Sequence, residues 1–173
     1  MFKSLHTGLL VLMLLFAAGP AHAESVVLRA VSFEQWQQQL KTYRGQILVV
    51  DLWATWCTPC LEQYPKLIAL DRQYAKRGVR VAALNLDDRD DPGALQAARR
   101  FIAGQGPSFD NFHLDENLMK AFDQLGLMAI PVVLIYDAQG VERYRLTGDN
   151  PRQQFTVQDV EQAIQTLLDE ASR

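Results

Sequence analysis

Cysteine and histidine are scarce in this chain: two of its 173 residues are cysteines and three are histidines. Two of the histidines, His6 and His22, lie in an N-terminal segment with the pattern of a removable leader, so His113 is the single histidine of the remainder. A structural zinc site requires four ligands, most of them cysteine or histidine. The remaining chain therefore cannot complete a Cys/His zinc site by itself.

An excess of positive charge is also absent. The chain has 17 Lys and Arg residues against 20 Asp and Glu residues, a net charge of −3, and loss of Lys3 with the leader would make it one unit more negative. Proteins that bind nucleic acid or anionic membrane surfaces present clusters of basic residues. The composition therefore argues against nucleic acid as a partner.

Long apolar runs are limited to one segment near the N-terminus. The run extends from Leu9 to Ala18, which is shorter than the roughly 20 residues of a membrane span. Lys3 precedes it, Gly19-Pro20 breaks it, and residues 21–23 (AHA) form the small-x-small pattern that precedes a cleavage site. This order is typical of a secretory signal peptide.

The sequence therefore predicts a signal peptide over residues 1–23, cleaved after Ala23, and an exported, periplasmic protein. An uncleaved N-terminal anchor is the alternative. Residues 24–173 are long enough for one domain with a substantial core, and we predict a single domain there.

Apolar patterning predicts strands and helices in alternation. QILVVDLWA (residues 46–54) is nearly continuous in apolar residues, which favours a strand covered on both faces. A helix from about Thr58 to Lys76 follows it. Near the C-terminus, PVVLIYD and VERYRLTG flank DAQG, which is typical of a hairpin. Strands separated by helices favour parallel pairing, so we expect an α/β fold with a mixed central sheet covered by helices.

The two cysteines lie where the predicted strand gives way to the helix, in DLWATWCTPCLEQYP (residues 51–65). A helix N-terminus stabilises an anion, here the thiolate of Cys57. The spacing of i and i+3 on a helix brings Cys60 within reach of a disulfide. We predict that Cys57 is an exposed nucleophile and that Cys60 is the resolving thiol.

Three other interpretations of this pair remain. A purely structural disulfide is possible, although so short a loop gains little chain entropy. A copper-handling protein could hold Cu(I) with Cys57 and Cys60, with or without His113, because thiolates suit that ion. A binding module or chaperone could carry a disulfide that never turns over.

Several neighbours of the pair are candidates for supporting roles. Asp51 interrupts an apolar strand, and burial of its carboxyl would raise the pKa and let it exchange a proton with Cys60; a wet strand end is the alternative. Trp56 offers a flat apolar rim for a partner chain, and Pro59 restricts the turn. Pro131 opens a strand either as an edge proline or through a cis peptide.

Two features have simpler interpretations. His113 is predicted to be a surface or loop residue. The acidic segment DDRDD at residues 87–91 is predicted to be a solvated loop.

The segments VVDLWATWCTPC, VAALNLDD and IPVVLIYDAQGVERYRLTG resemble the active-site strand, the next core strand and the proline hairpin of the thioredoxin superfamily. The resemblance covers about residues 45 to 170. It implies a thioredoxin fold, here with an N-terminal extension and a central insertion between Asp87 and Pro131. Export together with the insertion resembles the TlpA/ResA-like group.

The resemblance implies specific roles. Cys57 and Cys60 would be the nucleophilic and resolving cysteines and Asp51 the buried acid. Pro131 would be a cis-proline with Ile130 beside the site, so that both would bind substrate together with Trp56 and Pro59. Gly148 would keep the substrate groove open. Cytosolic thioredoxins carry a lysine where this chain has Ala83, which is a departure from their proton relay.

The function implied is that of an exported thiol-disulfide oxidoreductase that reduces disulfides in client proteins, for example in cytochrome c maturation or metal-site assembly. It would use no cofactor besides its own Cys57–Cys60 disulfide and no metal. Because exported cysteine pairs tend to oxidise, a membrane electron-relay protein would have to restore the dithiol. The pattern leaves the client, the redox potential and the oligomeric state open.

Overall fold

The computed structural model describes residues 27–148 and 154–173. The predicted signal peptide and its cleavage site lie outside the described residues. The strands are β1 (Leu28–Val31), β2 (Ile47–Trp53), β3 (Val79–Asn85), β4 (Asp110–Leu114), β5 (Val132–Tyr136) and β6 (Glu142–Thr147). The helices are α1 (Phe33–Thr42), α2 (Thr58–Tyr74, followed by a 3-10 turn at Ala75–Arg77), α3 (Pro92–Gln105), α4 (Leu118–Leu125) and α5 (Val157–Ala171).

The strands form one mixed sheet in the order β1-β4-β3-β2-β5-β6. β1, β4, β3 and β2 pair in parallel, whereas β5 pairs antiparallel with both β2 and β6. β2 lies in the interior of the sheet and all of its residues are buried. The continuous apolar run thus reflects a strand covered on both faces, and the predicted fold class is confirmed.

Alternation along β2 divides its side chains between two cores. Leu48, Val50 and Leu52 face a cluster that includes Trp36 of α1 and Ala121 of α4. Ile47 and Val49 face the opposite side, where side chains of α2 and α5 pack. Asp51 and Trp53 follow Ile47 and Val49 at intervals of two residues and therefore lie on the same face of β2. The face that carries the Asp51 carboxyl is thus the face covered by α2.

Local sequence signals set several helix ends. Ser32 caps α1, with its hydroxyl accepting from the Gln35 amide and the Gln35 side chain accepting from the Ser32 amide. Asp91 caps α3 and Pro92 occupies its first turn. Gly78 follows the 3-10 turn with a φ of 80°, a left-handed conformation that glycine adopts without steric cost.

The interpretation of His113 is wrong, and in the acidic segment, which is a loop as predicted, Asp87 departs from the expected exposure. His113 is buried on β4, with its ring Nε2 2.9 Å from the backbone oxygen of Asp87. Asp87 itself is buried, although Asp90 in the same acidic segment is exposed. The reason is topological, because β4 is inserted between β1 and β3 and is therefore an interior strand.

In the two described ranges, no helix combines the length and the apolar character that crossing a bilayer requires.

Candidate active site

The two cysteines form a disulfide at the junction of β2 and α2. Cys57 is the N-cap of α2 and Cys60 lies in the first turn, with a Cα–Cα distance of 5.3 Å. The Sγ atom of Cys57 accepts a hydrogen bond from the Cys60 amide at 3.3 Å. The helix thus directs a backbone N–H at the sulfur predicted to be the nucleophile, an arrangement that stabilises a thiolate after reduction.

The prediction that Cys57 is exposed is wrong for this oxidised form. Cys57 exposes 4% of its surface and Cys60 exposes none. Both cysteines belong to a cluster that includes Trp53 and Tyr64, with Ile130 packed against it. Since Cys60 is fully covered, the small accessible area of the disulfide belongs to Cys57, and an incoming sulfur must approach there.

The carboxylate of Asp87 holds the loop that leads to the disulfide. It accepts hydrogen bonds from the backbone N and the Oγ1 of Thr55 at 3.0 and 2.8 Å, and from Nδ2 of Asn85 at 2.8 Å. The sequence analysis missed this role. The available signal was a pair of short polar residues at the end of β3, the strand that pairs with β2.

Asp51 is fully buried on β2, between Ala83 of β3 and Val133 of β5 in the strand register. Its Oδ1 accepts a hydrogen bond from Nε2 of Gln63 at 3.1 Å, while Oδ2 has no partner among the described residues. Burial raises the pKa of Asp51 to about 7, and the Gln63 bond opposes the rise. The predicted buried acid is confirmed, and the alternative of a wet strand end is wrong.

The Ile130–Pro131 peptide is cis, which resolves the two interpretations of Pro131. Gly148, at the end of β6, donates its backbone N–H to the Pro131 oxygen at 2.9 Å. A Cβ atom on Gly148 would lie 2.9 Å from Cδ of Pro131, closer than a side chain can approach without displacing the ring. The absence of a side chain at Gly148 is therefore what lets β6 lie against the proline.

An apolar surface lies beside the disulfide. Trp56 is 53% exposed, and its ring centroid is 6.5 Å from that of Phe122 on α4. Met119 is also exposed and precedes Phe122 by three residues, a spacing that places both on one helix face. Met128, which is 90% exposed, lies in the segment leading to the cis-proline. We call these four residues the Trp56 surface. Phe122 is partly buried, whereas the exposed Trp56 is the apolar side chain predicted for this position.

A groove on the surface includes Pro59, the residue directly before Cys60, among its lining residues. Pro59 and Pro131 line it together with Gln63 and Phe155. Pro59 and Pro131 are thus brought to one face of the molecule, as the sequence predicts for residues that contact a substrate.

The copper alternative includes His113 as an optional third ligand beside the two cysteines. The ring of His113 instead bonds to the Asp87 backbone. Within residues 27–148 and 154–173, no group of three or more His, Cys, Asp or Glu side chains is placed to hold a metal ion. A copper site made of Cys57, Cys60 and His113 is therefore not formed there.

Comparisons with known proteins show the family of the chain. The Redoxin family model matches residues 21–164. The chain is 33% identical over 107 residues to the thiol:disulfide interchange protein DsbE of Vibrio cholerae, an alignment covering 62% of this chain and 53% of that protein. It is 26% identical over 117 residues to the thiol-disulfide oxidoreductase ResA of Bacillus thuringiensis, covering 68% of this chain and 64% of ResA. The chain thus spans between half and two thirds of the length of these relatives.

Solved structures support the fold. A thiol:disulfide interchange protein of the thioredoxin family from Chlorobium tepidum superposes with a TM-score of 0.57 at 20% identity, over 74% of this chain and 83% of that chain. A thiol-disulfide isomerase from Corynebacterium glutamicum gives 0.59 at 18% identity, over 74% and 84%. The thioredoxin fold implied by the sequence is confirmed.

Replacing Asp51 by Asn tests the buried carboxyl. Its pKa of about 7 lies above the ordinary value of 3.8, so the folded state holds the proton more tightly than the unfolded state and wild-type stability falls as pH rises between these values. We expect Asp51→Asn to flatten this dependence and to be more stable than wild type at pH 8 by on the order of 4 kcal/mol. Urea denaturation of the oxidised protein at pH 5 and 8 measures this. Asp123→Asn, on the exposed face of α4, is the control, and an unchanged pH dependence in Asp51→Asn contradicts the assignment.

Replacing Gly148 by Ala tests the contact with the cis-proline. The new methyl group must displace Pro131, which we expect to lower the free energy of unfolding by about 2 kcal/mol and to slow reaction of the reduced protein with a small disulfide. Gly104→Ala is the matched control, because its Cβ would meet open space in α3 and should stabilise by about 0.5 kcal/mol. Equal stability changes in the two variants are the contrary outcome.

Replacing Asp87 by Ala tests the support of the active-site loop. The substitution leaves the N–H and hydroxyl of Thr55 and the amide of Asn85 without their acceptor, and we expect a loss of about 3 kcal/mol in thermal or chemical unfolding. Asp90→Ala, in the same acidic segment but exposed, should change stability little. Similar losses in both variants would show that the Asp87 bonds are unimportant.

Proposed function

The chain belongs to the Redoxin family, and on that premise we propose that it is an extracytoplasmic thiol-disulfide oxidoreductase that reduces disulfides in partner proteins. The observation that carries the proposal is the Cys57–Cys60 disulfide at the front of α2, with the buried Asp51 carboxyl on the strand behind it. Similarity to proteins named DsbE and ResA supports the same class of reaction.

The first step is attack on the client. In the reduced protein, the Cys57 thiolate, stabilised at the N-terminus of α2, attacks one sulfur of the client disulfide. The client S–S bond breaks and a Cys57–client bond forms. The other client sulfur leaves as a thiolate and takes a proton from solvent. Attack falls to Cys57 because it is the less buried of the two sulfurs.

The second step closes the ring. Cys60 passes its S–H proton to the Asp51 carboxylate, and the resulting thiolate attacks the Cys57 sulfur. The mixed disulfide breaks, the client sulfur leaves as a thiolate that is then protonated, and two electrons have passed from the protein dithiol to the client. A carboxyl with a pKa of about 7 suits this exchange, because proton transfer is most effective when the pKa lies near the working pH.

The Trp56 surface supports a polypeptide client. Trp56, Met119 and Met128 expose apolar area, and Trp56 directly precedes Cys57, whose sulfur attacks the client. The ring of the partly buried Phe122 packs near that of Trp56. Solvent-exposed apolar patches beside a reactive centre mark contact sites for other chains. A client segment could therefore lie between this surface and the Ile130–Pro131 peptide.

The location and the reductant complete the proposal. The leader pattern at residues 1–23 supports export to the periplasm, where a membrane electron-relay protein would return the Cys57–Cys60 disulfide to the dithiol. The TlpA/ResA-like resemblance supports clients in cytochrome c maturation or metal-site assembly.

Insulin reduction tests the catalytic claim. With dithiothreitol as electron source, we expect the wild type to accelerate insulin precipitation and Cys57→Ala to fall to the uncatalysed rate. Cys60→Ala should still attack but not release, so that it accumulates covalent adducts that mass spectrometry identifies. Equal rates for wild type and Cys57→Ala exclude a catalytic Cys pair, and a redox potential near −120 mV, that of a strong oxidant, excludes the reducing direction.

A further inference from the structure

One face of α2 contacts two successive residues of β2. The Cys60 sulfur lies 4.0 Å from the backbone oxygen of Leu52. One turn later, Nε2 of Gln63 donates to the Asp51 carboxylate at 3.1 Å. Residues three apart share a helix face, so the resolving sulfur and the amide are presented side by side to the segment that carries the buried acid.

Gln63 also contacts the groove on the molecular surface. It is 9% exposed and lines a groove of about 380 Å³ with Pro59, Glu62, Lys66 and Pro131. Asp51 itself has no exposed surface, and its neighbours in the sheet register are Ala83 and Val133, which carry no polar side-chain atoms. Gln63 is therefore the side chain that both bonds to Asp51 and reaches solvent.

An amide suits a carboxyl that changes its protonation state. It donates through Nε2 to a carboxylate, and after a half-turn of the amide group it accepts through Oε1 from a carboxylic acid. A leucine could do neither, and a glutamate would place a second negative charge beside the first. Asp51 has to take the Cys60 proton and then lose it, so its partner must satisfy both forms.

We propose that Gln63 is the positioning residue for proton exchange by Asp51, holding the carboxyl in both protonation states at the wall of the groove through which its proton reaches solvent. The proton leaves the Cys60 sulfur for an Asp51 oxygen and then passes from that oxygen to solvent in the groove. The catalytic use of this exchange rests on the proposed function; the coupling of the two side chains does not.

The other titratable groups near Asp51 are few. Tyr64 of α2 interacts electrostatically with Asp51, but burial raises the pKa of its phenol far above neutrality and its hydroxyl donates to Asn111. Glu62 and Lys66 lie on the rim of the groove. Cys60 titrates only after reduction, so a titration of the oxidised protein reports the carboxyl.

The experiment titrates the Asp51 side chain by NMR in the oxidised protein labelled with ¹³C aspartate. The wild-type midpoint should lie near pH 7. Gln63→Leu removes the bond that favours the carboxylate, so the proton affinity of Asp51 should rise about tenfold. Gln63→Glu should raise it as well and add a second coupled titration. Gln73→Leu makes the same change on the exposed side of α2 and should leave the midpoint in place.

Kinetics separate positioning from a general structural role. The reduced protein is mixed with hydroxyethyl disulfide, and ring closure is followed by tryptophan fluorescence as a function of pH. Gln63→Leu should shift the pH profile of ring closure in the same direction as the Asp51 midpoint. When it is added to Asp51→Asn, the pH profile of the double variant should equal that of Asp51→Asn alone. An unchanged midpoint in Gln63→Leu, or a shift of equal size that persists without Asp51, overturns the proposal.

Two provisions keep the outcomes separate. If Gln63→Leu fails to fold, Gln63→Glu and Gln63→Met keep the side-chain volume and carry the same comparison. The NMR titration needs no client. If the wild type fails to reduce insulin but the Asp51 midpoint shifts in Gln63→Leu, the proposed function alone is rejected. If the wild type reduces insulin but the midpoint does not shift in Gln63→Leu, the role of Gln63 alone is rejected.

Discussion

The desolvation of one carboxyl group is the constraint on which the rest of the site depends. Asp51 lies on an interior strand whose register neighbours, Ala83 and Val133, offer no polar atoms. A buried carboxylate is costly unless it is paired, and among the described residues the compensating bond comes from Gln63. The Asp51 carboxyl therefore keeps its proton up to about neutral pH. Its ionised form is a proton acceptor of suitable strength and lies on the strand behind the disulfide.

The sheet topology gathers the remaining parts at one edge. β2 and β3 are parallel, so the Cys57 loop and Asp87 emerge at the same end. β5 runs antiparallel to β2, so its beginning, at the cis Pro131, lies at that end as well. Gly148 follows the end of β6 and closes the arrangement from the other side of β5. Elements distant in sequence thus meet around one disulfide.

The oxidised form combines a nearly covered disulfide with an uncovered surface next to it. The core cluster that buries both sulfurs protects them from solvent, while Trp56 and the methionines of the Trp56 surface remain exposed. This division favours reaction with a chain that first docks on apolar area over reaction with small thiols in solution. Selectivity would then come from the surface, and reactivity from the front of α2.

Features that depend on near neighbours in the chain could be predicted from the sequence. The buried strand β2, the caps at Ser32 and Asp91 and the pairing of Cys57 with Cys60 follow from periodicities and spacings of a few residues, because hydrogen bonds and side-chain contacts inside one element are short in sequence. The identification of Asp51 as a buried acid followed from one polar residue in an apolar run.

Contacts between side chains of different elements could not be predicted in this way, because they depend on how the whole chain folds. Gln63 reaches Asp51 across 12 residues and Asp87 holds Thr55 across 32, and no spacing rule relates such pairs. His113 was predicted to be a surface or loop residue, yet the insertion of β4 between β1 and β3 buries it. Cys57 is covered in a cluster that includes Ala98 and Ile102 of α3, residues far from it in the sequence. Burial and long-range pairing depend on the order of strands and the packing of helices over them, and a single chain's local pattern does not specify either.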